Sequence, residues 1–273
     1  MVSFTKIVTA ALLASSSLAI PHGEHHAHLH QSPKRSASSK RGAAYNEAST
    51  VAALTGNTPV TWGYSWNMWS NGILPSEVEF VPMLWGSKMF GGWFSAIQTA
   101  LASGSTYIMG FNEPDAAAQA CMAPADAANY YRQYISPYNG NAKLVTPAVT
   151  NGGGDAEGLQ WMRTFMDGCS DCGLSVLAVH WYGQSADEFK IFVTQAMDFA
   201  AEYSLESVWV TEFALNSDIA NGASSQESSD FLNEVLPWLD EQPAVARYAY
   251  FMCKEGFLLS GGALSQTGST YTA

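Results

Sequence analysis

The sequence predicts a single-domain α/β fold, a (β/α)8 TIM barrel, from three observations. Short apolar segments recur eight times, helix-like segments separate most of them, and about 230 residues remain after an N-terminal leader. Strands that alternate with helices pair in parallel through right-handed crossovers, and eight such units fit this length. An open doubly wound sheet is the alternative, but it usually has a glycine-rich phosphate loop after its first strand, and none follows here.

The first residues resemble a leader rather than part of the fold. Residues 1–20 contain one lysine, then an apolar stretch and small residues before a cleavage point. This pattern is typical of a secretory signal peptide, and the stretch is too short to remain as a membrane span. We therefore expect a secreted, extracellular protein that does not associate with the membrane once the signal is removed.

Residues 21–41 are polar and low in complexity, so they are interpreted as a propeptide or linker. They contain two dibasic pairs, Lys34-Arg35 and Lys40-Arg41, which are candidate processing sites. Five of the six histidines lie between residues 22 and 30, where no scaffold would orient them as metal ligands. The folded domain is therefore expected to cover residues 42–273.

The strands and helices are predicted from apolar periodicity. The predicted strands are residues 41–45, 60–65, 79–84, 107–111, 143–147, 176–180, 207–211 and 247–251. The predicted helices are residues 94–103, 124–138, 159–166, 186–203 and 226–239, with a weaker candidate at 47–54. Pro124 suits the first turn of its helix.

The net charge of the folded part limits the classes of partner that the protein can bind. After residue 41 the chain has 7 basic and 23 acidic residues, a net charge of −16. Such a surface repels nucleic acid and anionic membranes, so a neutral polymer is the expected partner.

Four cysteines are present, and an oxidising compartment would permit disulfides. Cys169 and Cys172 lie in a loop-like DGCSDCG stretch without further metal ligands nearby, so a local disulfide is expected. Whether Cys121 and Cys253 pair is left open by the sequence.

Polar and aromatic residues repeatedly follow the predicted strands. In a parallel barrel the carboxyl ends of all strands meet at one face, where the site is built. Five of these strand ends carry the residues Trp66 and Asn67, Trp85, Asn112 and Glu113, His180 with Trp181 and Tyr182, and Glu212. Their shared position predicts one site at this face.

Two glutamates stand out among these residues. Glu113 ends the fourth predicted strand and Glu212 the seventh, so they would approach across the mouth of the barrel. Hydrolysis of a glycosidic bond needs such a pair, because one carboxyl protonates the leaving oxygen while the other attacks or activates water. Pro114 is expected to bias Glu113 towards extended backbone geometry. A serine-hydrolase reading fails because no Gly-x-Ser-x-Gly elbow occurs.

Aromatic side chains near this face suit a sugar ligand, whose C–H faces stack on Trp and Tyr. The candidates are Trp62, Trp66, Trp69, Trp85, Trp181 and Tyr182. His180 shares the predicted face with both glutamates, so contact with substrate or nucleophile is expected for it. Trp209 lies in the middle of its strand and is expected in the core.

Four motifs resemble glycoside hydrolase family 128, which includes fungal β-1,3-glucanases and alkali-sensitive-linkage cell-wall proteins. They are FVPMLWG (80–86), GFNEPD (110–115), AVHWYG (178–183) and WVTEF (209–213), and the resemblance covers about residues 41–260. It implies a retaining barrel enzyme with Glu113 as acid/base and Glu212 as nucleophile.

The same resemblance implies that Asn112 binds the hydroxyl next to the reacting carbon. It also implies that His180 and Tyr182 line the site and that Trp85 holds a glucosyl unit. A Trp would be expected where Tyr250 stands, so the subsite around Tyr250 departs from the family pattern.

The sequence thus predicts a secreted, monomeric endo-β-1,3-glucanase that acts on β-glucan, in the medium or at the cell wall, without metal or organic cofactor. Two alternatives remain at this point. One is a non-catalytic β-glucan-binding wall protein, and the other is a transglycosylase that uses the same covalent intermediate.

Overall fold

The computed structural model describes residues 39–56, 59–222 and 226–273. They belong to one compact unit. The signal peptide, the histidine-rich tract and the Lys34-Arg35 pair of the sequence analysis lie outside the described residues. Among the helices in the described ranges, none has the length and apolarity that a membrane crossing requires.

All eight predicted strands are present, short in the first half of the chain and longer in the second. They are β1 (Gly42–Ala44), β2 (Trp62–Tyr64), β3 (Glu79–Phe80), β4 (Tyr107–Ile108), β5 (Lys143–Val149), β6 (Leu174–Gly183), β7 (Ser207–Leu215) and β8 (Val245–Tyr250). A hairpin that the sequence did not predict follows them, formed by β9 (Leu259–Ser260) and β10 (Ala263–Leu264).

The strands form two parallel sheets. β4 to β8 lie side by side in chain order as a curled, five-stranded half-barrel, and β1 to β3 form a three-stranded sheet. Isolated parallel bridges join Met83 to Met109 and Arg41 to Tyr248. Parallel order places the carboxyl ends of neighbouring strands on the same side, as the sequence analysis requires.

Helices follow most strands, as parallel pairing demands. They are α1 (Trp93–Ala102), α2 (Pro124–Tyr134), α3 (Gly158–Gly168), α4 (Ala186–Glu202), α5 (Asn216–Asn221), α6 (Gln226–Glu241) and α7 (Gln266–Tyr271), with 3-10 helices at Ala48–Leu54, Ser87–Gly92 and Ser136–Tyr138. The helix predicted at 124–138 stops at Tyr134, because Pro137 disfavours α geometry just before it and a 3-10 turn takes over. α5 and α7 are too short to show a clear helical period in the sequence.

The core has two layers. One buried cluster takes residues from β1, β2 and β5 to β8 and from the segments just after β3 and β4. It takes none from the helices, so it fills the inner face of the sheets. There Trp62 packs on Trp209 with ring centroids 5.1 Å apart. The Arg247 guanidinium lies over the Trp209 ring at 4.5 Å and pairs with Glu79 at 2.6 Å, which satisfies the charge below the aromatic layer. The other cluster joins the outer face of the strands to the helices.

The folded unit starts before residue 42, where the sequence analysis placed the boundary. Arg41 is buried, and its guanidinium donates to the carbonyls of Tyr271 and Ala273 at 2.8 Å each. Lys40 donates through Nζ to three carbonyls at the end of α6, those of Leu239, Asp240 and Gln242. Because these contacts join the two chain ends, the Lys40-Arg41 pair is part of the packed structure rather than of a linker.

The expected disulfide between Cys169 and Cys172 is confirmed. Cys121 is exposed and Cys253 is buried, and both are free thiols. The pairing that the sequence left open is therefore absent.

Gly110→Ala should destabilise the fold by about 1–3 kcal/mol, because overpacking against a backbone cannot be relieved by a rotamer change. A Cβ at Gly110 would lie 2.7 Å from the Pro147 nitrogen on β5. The midpoint of thermal unfolding measures this loss. Gly153→Ala is the control, since a Cβ there meets nothing within 4 Å, and an equal loss in both variants would contradict the prediction.

Candidate active site

The curl of the five-stranded sheet brings the two predicted glutamates together, although β5 and β6 lie between their strands. Glu212 lies in β7 directly opposite His180 of β6. Glu113 follows β4, where its amide donates to the Ala148 carbonyl of β5 at 2.7 Å. One carboxylate oxygen of each glutamate and a His180 ring nitrogen all lie within 4.8 Å of one another. The side chains of Glu113 and Glu212 are 12% and 6% exposed, so this cluster is largely withdrawn from water.

Donors converge on both oxygens of Glu212. The Trp66 indole donates to Oε1 at 2.6 Å, and the Tyr182 hydroxyl donates to Oε2. The Tyr64 hydroxyl lies 3.4 Å from Oε1 and donates to the Thr211 carbonyl at 2.9 Å. Burial, reinforced by Glu212, raises the pKa of Tyr64 and Tyr182 above the usual value, so both hydroxyls keep their protons. An ionised carboxylate, which only accepts hydrogen bonds, suits this setting.

His180 lies between the two carboxylates. Its Nδ1 is 2.8 Å from Oε1 of Glu113 and 3.3 Å from Oε1 of Glu212. Complete burial by itself lowers the pKa of His180, but Glu212, Glu113 and Asp115 outweigh it, and the pKa is raised above the usual 6.5. His180 therefore tends to hold a proton where two negative groups would otherwise repel each other.

Glu113 is held in a turn, and the expectation of extended backbone geometry was wrong. Its φ is +42°, in the left-handed region that residues other than glycine seldom adopt. The Ala116 amide donates to the Glu113 carbonyl at 3.1 Å, so the chain turns back at once. Asp115 anchors this turn by accepting from the Thr150 hydroxyl at 2.6 Å and the Gly158 amide at 2.8 Å. These bonds outweigh the preference that Pro114 imposes.

Asn112 is buried beside Glu113 with one polar atom unsatisfied. Its Nδ2 donates to Oε1 of Gln119 at 3.3 Å, while its Oδ1 has no partner in the structure. A buried amide oxygen without a donor is costly, and a ligand hydroxyl is one group that could satisfy it. Gln119 thereby fixes which end of the Asn112 amide is free.

A cleft of about 260 Å³ opens above the carboxylates. Its lining consists of Asn46, Trp66, Trp85, Asn112, Glu113, Gln119, Glu212, Phe251 and Met252. Indole and phenyl rings thus stand beside amides and carboxylates, an arrangement suited to an uncharged ligand with apolar faces and hydroxyl groups.

Glu113, His180 and Glu212 could also hold a metal ion, since each offers a ligand atom within 4.8 Å of the others. The donors of Trp66 and Tyr182 already occupy both oxygens of Glu212, however. An N–H or O–H that points at a carboxylate oxygen competes with a cation for it, so the geometry favours proton chemistry over metal binding.

The structure does not bring every predicted residue to the cleft. Trp181 is buried on the outer face of β6, where it stacks on Phe231 at 5.8 Å. Tyr250 is buried as well and donates to Asp218. Successive side chains on a strand face opposite ways, so Trp181 points outward because His180 and Tyr182 point inward.

Three further predicted residues also lie away from the cleft lining. Asn67 is half-buried, and its amide donates to Asn71 at 3.4 Å. Trp62 is fully buried in the inner-face cluster, two residues below Tyr64, and Trp69 is 41% exposed. Trp209 is in the core as expected.

Sequence reasoning missed Asn46, Gln119, Phe251 and Met252. The alternation of side chains along a strand could have revealed Phe251, because it follows Tyr250 and therefore faces the opposite side of β8. Asn46 follows β1, where the same rule about strand ends applies. Gln119 lies in the loop after Glu113 and reaches back from it, which no local pattern indicates.

Comparisons with known proteins agree with this geometry. The family described as "Glycosyl hydrolase catalytic core" matches residues 42–271. The chain is 31% identical over 253 residues to alkali-sensitive linkage protein 1 of Schizosaccharomyces pombe, which covers 86% of this chain. The chain spans 45% of that relative's length.

Solved structures extend the comparison. A curdlan-specific exo-β-1,3-glucanase of family GH128 (subgroup III) from Blastomyces gilchristii, in complex with glucose, is 41% identical with a TM-score of 0.79, over 86% of this chain and 98% of that one. A GH128 endo-β-1,3-glucanase from Amycolatopsis mediterranei, a glutamate-to-alanine variant in complex with laminaripentaose, is 28% identical with a TM-score of 0.71, over 86% and 99%. A variant of the same enzyme at another glutamate is in complex with laminaritriose and laminaribiose.

The family match covers nearly the whole described chain. The glucanase structures that share its fold agree with it, as do the two glutamates that meet in the cleft. This chain belongs to the glycosyl hydrolase catalytic-core family and, within it, to glycoside hydrolase family 128.

Proposed function

We propose that this protein hydrolyses β-1,3-glucan with retention of anomeric configuration. The observation that carries the proposal is the buried pair Glu113 and Glu212, whose nearest ligand oxygens lie within 4.8 Å. Retaining glycosidases hold their carboxyl groups about 5–5.5 Å apart, whereas inverting enzymes leave about 6.5–9.5 Å for a water molecule. Oxygens this close fit the shorter, retaining separation better than the inverting one, which supports direct attack by a carboxylate.

The surroundings of each glutamate support its role. Glu212 would attack the anomeric carbon, since Trp66 and Tyr182 hold its two oxygens and fix its direction. Glu113 would protonate the leaving oxygen and then take a proton from the water that releases the sugar. The two glutamate variants of the Amycolatopsis enzyme that hold laminari-oligosaccharides are consistent with a two-glutamate mechanism.

Asn112 and Trp85 would bind the sugar. The free Oδ1 of Asn112 lies beside the carboxylates, where it can accept from the hydroxyl next to the reacting carbon. Trp85 and Phe251 line the cleft and offer faces on which a glucosyl unit can stack. Phe251 thus lines the cleft, whereas Tyr250, which stands where the resemblance implies a Trp, is buried beside Asp218.

We also propose that the two sheets close into one eight-stranded (β/α)8 barrel. The Arg41–Tyr248 and Met83–Met109 bridges lie at the two places where the sheets meet. The inner cluster, which takes residues from or just after each of the eight strands, supports the same closure.

We further propose that the protein is secreted with removal of residues 1–20 and that it acts as a monomer outside the cell. The signal-like leader and the acidic charge of the sequence support this part of the proposal.

Endo action is what the sequence predicted, and exo action is a second candidate with its own support. Its support is the 41% identical relative, which is an exo-enzyme.

Glu113→Gln and Glu212→Gln should each reduce hydrolysis of laminarin by at least about 100-fold, with the fold intact, because each removes one partner of the acid–nucleophile pair. Glu113→Gln should retain more activity on an aryl glucoside whose leaving group needs no proton. Glu241→Gln, an exposed position on α6, is the control. Full activity on laminarin in either site variant would rule out the assignment.

Hydrolysis of reduced-end-labelled laminarihexaose should first yield products of β configuration. NMR spectra taken before mutarotation identify the anomer, and chromatography of the same samples sizes the products. Early products of several lengths indicate endo action, whereas glucose together with the labelled pentamer alone indicates exo action. An initial α-anomer would contradict retention.

His180 should make stability depend on pH. Its pKa is raised in the folded state, so its stabilising effect is fully present below about 6.5 and is lost as pH rises through the folded-state pKa. The unfolding-midpoint difference between wild type and His180→Asn should therefore shrink from pH 6 to pH 9. Both proteins keep the N-terminal histidines, which cancel in the comparison. A difference that grows with pH would contradict this.

A further inference from the structure

Four aromatic side chains outside the cleft form a continuous strip on the surface. Phe90 and Phe94 are four residues apart on the 3-10 helix and α1, and Tyr130 and Tyr134 are four apart on α2. The Phe90 ring stacks on Tyr134 with centroids 4.1 Å apart and contacts Tyr130 at 4.9 Å, while Phe94 stacks on Tyr134 at 5.6 Å. We call these four residues the aromatic strip.

The strip exposes aromatic surface to solvent that does not contribute to the core. Phe94 is 46% exposed and Tyr130 is 37% exposed, although both are large aromatic residues. Phe90 and Tyr134 are half-buried and pack against the core, so they hold the strip in place. Contiguous exposed apolar groups of this kind mark a surface that binds something.

The charges around the strip select an uncharged partner. α1 has no charged residue, and the 3-10 helix before it has only Lys88. On α2, Asp126 lies one turn before Tyr130, and Arg132 is paired with Asp171 at 2.7 Å. A net charge of −16 after residue 41 repels nucleic acid and anionic lipid. Sugar rings offer apolar faces that stack on aromatic rings, and their hydroxyls can reach the two tyrosines.

The strip packs against the segment that leads into the proposed cleft. Phe90 contacts the buried Phe111 with ring centroids 6.4 Å apart, and Phe111 directly precedes Asn112 and Glu113. Trp85, a wall of the cleft, is five residues before Phe90 along the chain. The strip and the cleft are therefore built on the same two segments, which puts the strip within reach of a long chain bound in the cleft.

We propose that the aromatic strip is a second binding surface for a neutral β-linked glucan chain, distinct from the catalytic cleft. This inference rests on the proposed glucanase function. A long or insoluble chain held there would stay close to the cleft between cleavage events, which raises its effective concentration. Short oligosaccharides would fill the cleft without reaching the strip.

The test compares Phe94→Ala/Tyr130→Ala with the wild-type full chain. The double variant removes the two exposed rings and leaves Phe90 and Tyr134 in the core. Partition onto insoluble β-1,3-glucan should weaken about tenfold, the change that 1.4 kcal/mol produces. The kcat/KM for laminaritriose should stay within about twofold, since its binding would be confined to the cleft. Ile191→Ala/Ile219→Ala, at positions 61% and 46% exposed, is the control.

The outcomes separate this proposal from the proposed function. Hydrolysis of laminaritriose by the wild type tests the cleft alone. Strip-dependent partition without hydrolysis would leave the strip supported and the proposed function overturned. Unchanged partition in the strip variant, or an equal loss in the control, would overturn the strip. A wild-type dimer that the strip variant lacks, seen by sedimentation, would also overturn it, because the surface would then bind a second copy.

Discussion

Two carboxylates buried side by side are the constraint on which the rest of the structure depends. Like charges within 4.8 Å repel, and burial removes the water that would screen them. Hydrogen-bond donors offset this repulsion. His180 lies between the two carboxylates, and Trp66, Tyr182 and Tyr64 lie around Glu212. Each donor must face inward within reach of the pair, so the pair constrains the register of the strands that carry the donors.

The layers below the site keep this register. Along β2 and the residues after it, Trp62, Tyr64 and Trp66 face inward at alternate positions, and each occupies a higher layer. Tyr64 contacts Glu212 from below, Trp62 packs on Trp209, and Arg247 closes the base through its pair with Glu79. A slip of one residue would turn Trp66 away from Glu212 and put its neighbours into the interior, so packing and catalysis select the same alignment.

The sequence could predict the strands and the glutamate pair because both depend on local patterns. Apolar runs marked all eight strands, and a carboxylate at the end of a run has few structural uses. It could not predict which member of His180-Trp181-Tyr182 faces outward, because β6 is buried on both faces and its apolar run does not show which set of alternate residues faces inward. For the same reason the sequence analysis placed Tyr250 at the site, although its neighbour Phe251 is the residue that lines the cleft. Lys40 and Arg41 look like a processing site, and only tertiary contacts show them bound to the other end of the chain.

The two glutamates differ in how firmly the fold holds them, and this difference matches their proposed roles. Glu212 lies within a strand with both oxygens bound by donors, so its direction is fixed. Glu113 lies in a turn with left-handed backbone geometry, and the contact to its side chain comes from His180. A nucleophile must point at one carbon throughout the reaction. An acid/base must serve first a leaving oxygen and then a water, so a carboxylate on a strained turn, anchored through Asp115 rather than through its own oxygens, is the one suited to move.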